Sequence, residues 1–445
     1  MSSRLSLFDR ACQFADRTAI KSGGDSASYG QLLEDSASVA TGLLDGAADL
    51  EGARVCFLVP PGYDYVAVQW GIWRAGGIAV PLGMMHPLPE LEYVVEDTGA
   101  MAIVADAGLL DKVRPLAESH DLPLFTSREL ISHEPVKLPV LEPDRHAMIL
   151  YTSGTTSKPK GVVTSHAMIQ AQITSLVEAW GWTADDRILH VLPLHHIHGI
   201  INVLSCALWS GACCEFLPKF DAAAVWERLA SGQLSLFMAV PTIYARLITA
   251  WEKATESEQQ YYSAGCQQLR LMVSGSAALP VSTLERWRSI SGQTLLERYG
   301  MTEIGMGLSN PLEGERVPGH VGKPLPGVKI RRVNDQGEPV ADDVPCEIQV
   351  RGPSVFEHYW NRPEVTEQAF MDGWFRTGDV TVVEDGVYRI LGRSSVDIIK
   401  TGGEKVSALE IEEVLRTHPA IAQCAVVGVE DDEWGERVAA CLVVD

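Results

Sequence analysis

The chain is poor in basic residues: 36 Lys and Arg stand against 58 Asp and Glu, a formal charge of −22 over 445 residues. Such a field repels phosphate backbones and anionic lipid, which argues against nucleic acid and membrane surfaces as partners. Anionic substrates must instead meet cations and backbone donors placed locally. Cysteine is sparse and scattered. There are nine, none in a Cys-x-x-Cys pair, and Cys213 and Cys214 are adjacent. That spacing suits neither a zinc knuckle nor a disulfide framework and predicts buried free thiols in a reducing compartment. Internal repeats and low-complexity linkers are absent. The segment MSSRLSLFDRACQFADRTAI lacks a long apolar core and carries early acidic residues, so it does not read as a signal or transit peptide. A cytoplasmic location is expected, with an organelle left open. Residues 188–214 lack Asp, Glu, Lys and Arg, but Pro193, Gly199 and four histidines interrupt them. A buried strand, loop and helix is predicted there rather than a membrane span.

What is present is an α/β grammar, in which short apolar runs alternate with helical patterns. Residues 148–151 predict a strand, 162–163 resume one, and 166–180 predict a helix. Residues 235–240 read as a buried strand, with Pro241 suited to the first position of the following helix. The unit recurs: strand 271–273, the small-residue turn Ser274-Gly275-Ser276-Ala277, then Pro280 opening a helix. Two such tight turns put small-ligand contacts at the carboxyl ends of strands. Near the end, strand 387–390 precedes Gly392-Arg393, and Ser407-Ala-Leu-Glu410 reads as a capping box for a helix to about 417. With apolar runs at 421–429 and 438–444, this predicts one helix and two strands of a small α+β unit beginning near Gly392.

The richest segment is Tyr151-Thr-Ser-Gly-Thr-Thr-Ser-Lys-Pro-Lys-Gly161, with five Ser and Thr hydroxyls, two lysines and two glycines after a strand. Freed backbone N–H groups, hydroxyls and ammonium groups are what a polyphosphate requires. The spacing is not that of the G-x-x-x-x-G-K-[ST] loop.

This loop resembles the signature phosphate loop of the adenylate-forming superfamily: acyl-CoA synthetases, luciferases and peptide-synthetase adenylation domains. Further segments match in the superfamily's order. They are Leu194-His-His-Ile-His-Gly199, Ser274-Gly-Ser-Ala277, Glu297-Arg-Tyr-Gly-Met-Thr-Glu303, Gly373-Trp-Phe-Arg-Thr-Gly-Asp379, Gly392-Arg393 and Lys400-Thr-Gly-Gly-Glu404. The resemblance implies an α/β fold with a large N-terminal domain of mixed β-sheets and packed helices over 1–391. A hinge follows at 392–397, then a small α+β domain at 398–445. It also implies ATP, Mg²⁺ and coenzyme A as ligands. Thr152, Ser153, Gly154, Thr155, Thr156 and Lys160 would hold the phosphates. Ser274, Gly275, Ser276 and Ala277 would lie along the adenine, with Tyr299 stacking on it and Glu297, Arg298, Gly300 and Met301 beside it. Thr302 would touch the α-phosphate, and Glu303 with Thr155 would hold Mg²⁺. Asp379 would accept from the ribose hydroxyls, with Arg393 nearby. His196 would approach the reacting carboxylate, while His198, Ser274 and Met301 would shape the acyl pocket. Lys160, His196, Thr302 and Glu303 would carry catalysis. Lys400, Gly402 and Gly403 would face the pantetheine tunnel after the small domain rotates.

Several segments are similar to those of malonyl-CoA synthetases, among them Phe237-Met-Ala-Val-Pro-Thr-Ile-Tyr244 and Arg270-Leu-Met-Val-Ser-Gly-Ser-Ala-Ala-Leu-Pro280. Malonate makes a demand that fatty acids do not: its second carboxylate must be buried, and an unpaired buried charge is prohibitive. A pocket cation is required. Arg246, in Pro-Thr-Ile-Tyr-Ala-Arg-Leu, is the first expectation and Arg298 the second, since a guanidinium binds a carboxylate bidentately. The superfamily also uses a lysine in a Gly-Lys context late in the small domain. Nothing after Glu404 matches it, and Lys405 is the last lysine. The small domain is therefore expected to be cut about halfway and adenylation to be impaired. Three other functions remain open at this point: a ligase for another short or aryl acid, a carrier-loading adenylation module, and a non-catalytic nucleotide-binding scaffold.

Overall fold

The computed structural model describes residues 5–152, 158–217, 219–334, 336–431 and 433–444. Among these, the strands form sheets of nine, seven, five and four. In the nine-stranded sheet, Leu296–Met301, Leu271–Ser274, Leu236–Ala239, Arg187–His190, Cys213–Phe216 and Thr18–Ser22 lie side by side and parallel. Leu236–Ala239 and Leu271–Ser274 are buried at every position, as expected of strands covered on both faces by helices. The seven-stranded sheet is centred on the parallel strands Arg54–Leu58, Ile78–Pro81 and Ala102–Ala105. Its far edge is antiparallel: His146–Thr152, Lys160–Ser165 and His358–Tyr359.

Local chemistry explains the helix starts. Ser165 caps His166–Ala179 by accepting the Met168 N–H at 3.2 Å. Pro241 is the first residue of Pro241–Lys253, as predicted. Pro280 instead stands one residue before Val281–Ser291, with extended ψ of 133°. Ser407 caps Ala408–Leu415, but only half of the expected capping box forms. The Glu410 carboxylate accepts from Arg389 Nη1 at 2.7 Å and so leaves the cap for an ion pair.

The uncharged stretch within 188–214 folds as a buried strand, a loop and the helices His198–Ser205 and Cys206–Ser210. No helix among the described residues is long and apolar enough to cross a membrane. The C-terminal unit contains four strands, not two. The extra pair, Ile398–Thr401 and Glu404–Ser407, is a hairpin turned by Gly402 and Gly403, at φ of 59° and 88°. Left-handed φ at two successive positions favours glycine, so the predicted ligand-binding motif is also a turn.

The sheet register sets the site. Ala239 pairs with Ser274, and Ser274 with Glu297. The residues at and beyond this paired row, 240, 274–277 and 297–302, therefore emerge together at one carboxyl edge.

Candidate active site

Two cavities open at that edge. The larger, of ≈ 560 Å³, is lined by Ala277, Glu297, Tyr299, Met301, Asp379 and Arg393 among others. The smaller, of ≈ 360 Å³, is lined by His196, His198, Thr302 and Met306. Ser276, Arg298 and Gly300 border both.

Arg298 dominates the shared wall. It is 3% exposed, and its Nη2 donates to Ser276 Oγ at 3.1 Å. Its Nε has no partner, and among the described residues no carboxylate pairs with it. Burial lowers its pKa to about 9, so it remains charged at neutrality. A buried, uncompensated guanidinium is costly to the fold and asks for an anion. The local backbone is shaped around it. A Cβ on Gly275 would lie 2.6 Å from Arg298 Cζ, so a larger residue there would push the guanidinium out of place. Ser276 is held at φ of 72°, a left-handed conformation that costs energy outside glycine.

His198 opens His198–Ser205, which winds as a π-helix, a form often found at functional sites. It is buried, Nδ1 lies 3.3 Å from Ser276 Oγ, and Nε2 is unpartnered. Burial and then Arg298 drive its pKa well down, so the ring is neutral. His196 stands at the mouth of the smaller cavity, its ring 4.1 Å from that of His195. Desolvation and then His86 lower its pKa too. His190 is a core residue, its Nε2 bonded to the Gly199 carbonyl at 3.0 Å and its ring stacked on Phe216.

The phosphate-loop motif spans two antiparallel strands, with Thr152 paired to Lys160. Ser153, Gly154, Thr155 and Thr156 lie outside the described residues. Both ends of the loop are pinned. Tyr151 donates to Asp97 at 2.7 Å, and Tyr93 donates to the Pro159 carbonyl at 2.8 Å. Lys160 Nζ sits 4.9 Å over the Tyr359 ring, a cation–π distance. Tyr359 also donates to Glu303 Oε1 at 2.9 Å. One tyrosine thus orders two of the predicted catalytic residues. Sequence reasoning passed over it, because His358-Tyr359-Trp360 carries no periodicity or motif; only the sheet edge, where Tyr359 pairs with Val162, brings it here.

Glu303 is 6% exposed, and burial raises its pKa. Tyr359, then Arg393 and Lys160, partly offset that rise. Asp379 is buried between two donors: the Tyr299 hydroxyl at 2.6 Å and Arg393 Nε at 3.1 Å. Ser274 Oγ is buried without a partner, as is Glu297 Oε2. Burial raises the Glu297 pKa to about 8, with the Leu279 backbone opposing and Glu413 reinforcing the rise. The folded state holds this proton to higher pH than an unfolded chain does. The resulting stability is complete below about 4.5 and is lost as pH climbs to about 8. Glu297→Gln is expected to remove that slope. Urea unfolding at pH 5 and pH 8 should show the variant gaining on the wild type by on the order of 2–4 kcal/mol at the higher pH.

One expectation is corrected by position. Arg246 does not line the smaller cavity; it is exposed, with its guanidinium 5.9 Å over the Phe220 ring. Tyr244, Leu247 and Ile248 form the buried face of its helix, and the 3.6-residue period turns 246 outward. Lys400, Gly402 and Gly403 sit in the C-terminal hairpin and line neither cavity in this arrangement. The Lys400 amide donates to Glu436 at 2.6 Å, and Gly402 N–H to the Trp434 carbonyl at 2.9 Å. The C-terminal unit reaches the larger cavity through Leu409, Glu410 and Glu413, and Glu413 accepts the Val281 N–H at 2.8 Å.

Comparison with known proteins shows the family. The AMP-binding enzyme family matches residues 7–360, and the AMP-binding enzyme C-terminal domain matches 410–445. The chain is 46% identical to the mitochondrial malonate–CoA ligase of Mus musculus, over 98% of this chain and 82% of that protein. It superimposes on the crystal structure of ATP-bound MatB from Rhodopseudomonas palustris with a TM-score of 0.91 at 33% identity, covering 99% of this chain and 89% of the other. A malonyl-CoA ligase ternary product complex with methylmalonyl-CoA and AMP bound matches at 0.77 and 33% identity, covering 97% and 89%. A family match over most of the length, on a fold whose strand ends converge on these two cavities, leads to one conclusion: the chain belongs to the AMP-binding enzyme family.

Proposed function

We propose that the protein ligates malonate to coenzyme A, using ATP and passing through malonyl-adenylate. The observation that carries the choice of acid is Arg298, a buried cation with no carboxylate partner among the described residues, beside the shared wall of the two cavities. ATP would fill the larger cavity and malonate the smaller. In this reading Arg298 binds the distal carboxylate, and the proximal one lies near Thr302 and His196. Neutral His196 and His198 can donate hydrogen bonds there without adding charge. The orphaned Ser274 hydroxyl and Glu297 carboxyl supply polar contacts along the nucleotide, and Asp379 accepts from the ribose.

In the first step a carboxylate oxygen of malonate forms a bond to the α-phosphorus, and the bond to the departing pyrophosphate breaks. Lys160, its ammonium fixed over Tyr359, and Thr302 meet the charge that develops on phosphate. In the second step the coenzyme A sulfur bonds to the acyl carbon as AMP departs, and the thiol proton is released. Glu303 suits Mg²⁺, because its carboxylate is buried and a cation offsets the cost of ionising it there. When bound, the ion supplies further neutralisation of the phosphates. Lys400, Gly402 and Gly403 would serve coenzyme A after a rotation pivoting at 392–397. The two related structures, at equal identity but TM-scores of 0.91 and 0.77, are in keeping with such a rearrangement.

The direct test is malonate-dependent release of pyrophosphate and formation of malonyl-CoA by the purified protein. Product from monocarboxylic acids but not from malonate would reject the reading. Tyr359→Phe keeps the ring under Lys160 and removes only the hydroxyl on Glu303. It should raise the Mg²⁺ concentration needed for half-maximal rate by roughly 10–100-fold, the loss of one hydrogen bond to a charged group. Calorimetric titration of ATP at fixed Mg²⁺ should show a matching loss of affinity.

As to compartment, the mouse relative is named mitochondrial, against the cytoplasmic reading of this sequence. Cell fractionation with marker enzymes decides between the two.

A further inference from the structure

The four histidines within 188–198 suggest metal binding on paper, yet the residues that could hold an ion lie elsewhere. Among the described residues, only two groups of three or more His, Cys, Asp and Glu bring their ligand atoms within 4.8 Å of one another. One is Glu92, Glu96 and His120; the other is His146, Glu357 and His358. The second contains two imidazoles and one carboxylate, a donor set that favours zinc and its neighbours over magnesium or calcium.

Its geometry is assembled by the sheet. His146 begins His146–Thr152 and His358 begins His358–Tyr359, and both strands flank Lys160–Ser165. His146 pairs with Ser165 and His358 with Val163, so the two rings approach across the middle strand to a centroid distance of 5.4 Å. They meet edge to face at 60° and do not stack. Glu357 stands between them. Its Oε2 is 3.0 Å from His146 Nε2, and its Oε1 is 3.8 Å from His358 Nδ1. Donors held about 2.0–2.1 Å from a tetrahedral zinc lie roughly 3.4 Å from one another. The two observed separations bracket that value, and all three donor atoms lie within 4.8 Å of one another. Side-chain exposures of 30%, 49% and 33% keep the site open to solvent, with room for water as a fourth ligand.

We propose that His146, Glu357 and His358 form a binding site for one divalent transition-metal ion, with zinc as its representative. The site is separate from the cavities of the proposed reaction, since none of the three residues lines either of them. A bound ion would tie the start of His146–Thr152 to the strand that carries Tyr359. It would thereby fasten the edge on which the Tyr359 contacts to Lys160 and Glu303 depend.

The experiment is calorimetric titration of the metal-free full chain with zinc chloride in excess Mg²⁺, repeated on Glu357→Gln and on the triple variant H146A/E357Q/H358A. The wild type is expected to take up one ion at this site. Glu357→Gln, which is nearly isosteric, should weaken that event by ~10-fold or more, and the triple variant should lose it. Zinc should raise the unfolding temperature of the wild type by roughly 2–5 °C at ~100 times the dissociation constant and leave the triple variant unmoved. His120→Ala, in the other group, should change neither readout. Cobalt titration adds a signature, a visible absorption band of tetrahedral type present only when the three residues are intact. Absence of zinc binding by the wild type, or an unchanged binding event in the triple variant, overturns the proposal.

Discussion

Replacing Arg298 by methionine is expected to lower kcat/KM for malonate by ~10²–10³-fold while leaving that for butyrate within about 3-fold of the wild type or improving it. The reasoning is electrostatic. Wild-type Arg298 is buried with no carboxylate partner among the described residues, so a diacid brings the missing counter-charge and a monoacid does not. Removing one member of a buried, hydrogen-bonded charge pair costs about 3–5 kcal/mol, because the other charge is stranded. Here the stranded charge would be the distal carboxylate of malonate. Butyrate presents a methyl group at that end, and methionine offers it a better wall than a guanidinium does. Steady-state pyrophosphate release with each acid gives the ratio. Equal losses on both would mean that Arg298 merely supports Ser276 and the turn around Gly275. Arg246→Ala is the companion measurement. From its exposed position over Phe220 it should cost less than about 3-fold on either acid, and a large malonate-specific loss would return the role to Arg246.

Glu303→Gln is expected to reduce kcat by ~10²–10³-fold and to raise the Mg²⁺ requirement markedly. The substitution keeps the shape and the capacity to accept from Tyr359 while removing the negative charge. Titration of ATP at increasing Mg²⁺ should show a weakened dependence of nucleotide affinity on the ion, which a purely structural role would not alter. The pH profile adds a second reading. Burial raises the Glu303 carboxyl pKa above the ordinary carboxylate range. The wild-type rate should therefore fall on the acid side at a higher pH than an exposed carboxylate would allow, and the variant should lose that limb. Retention of full rate and of the same acid limb in Glu303→Gln would remove this residue from the site.

Much of the site was visible in the chain because its members are contiguous. A loop of hydroxyls, lysines and glycines needs no partner to advertise phosphate binding. Ser274–Ala277 follow an apolar run that had to be a strand, and Glu297–Glu303 form one unbroken motif. Arg298 fell in one of those segments, yet nothing in the linear order separated it from Arg246. Both are arginines close to a strand end, and what distinguishes them is direction. Arg246 sits five residues into a helix, on the side away from Tyr244 and Leu247, whereas Arg298 lies within a strand buried between cavities. Tyr359 and Asp97 were invisible for a different reason. Their contacts join residues 56 and 54 positions apart, to Glu303 and Tyr151 respectively, and such pairings leave no periodic trace. The His146 and Glu357 pair is separated by 211 positions.

The linear order by itself determined the class of fold, the strand-turn-helix units, and the family resemblance with its nucleotide chemistry. It could do so because hydrophobic period, glycine freedom and proline's missing N–H act over a few residues. The tertiary structure alone decided which arginine is buried beside the cavities, which tyrosine supports Glu303 and Lys160, and which histidines meet a carboxylate at a sheet edge. Burial, pKa and ion pairing depend on distances and on the exclusion of water, and these exist only once remote strands are brought into register.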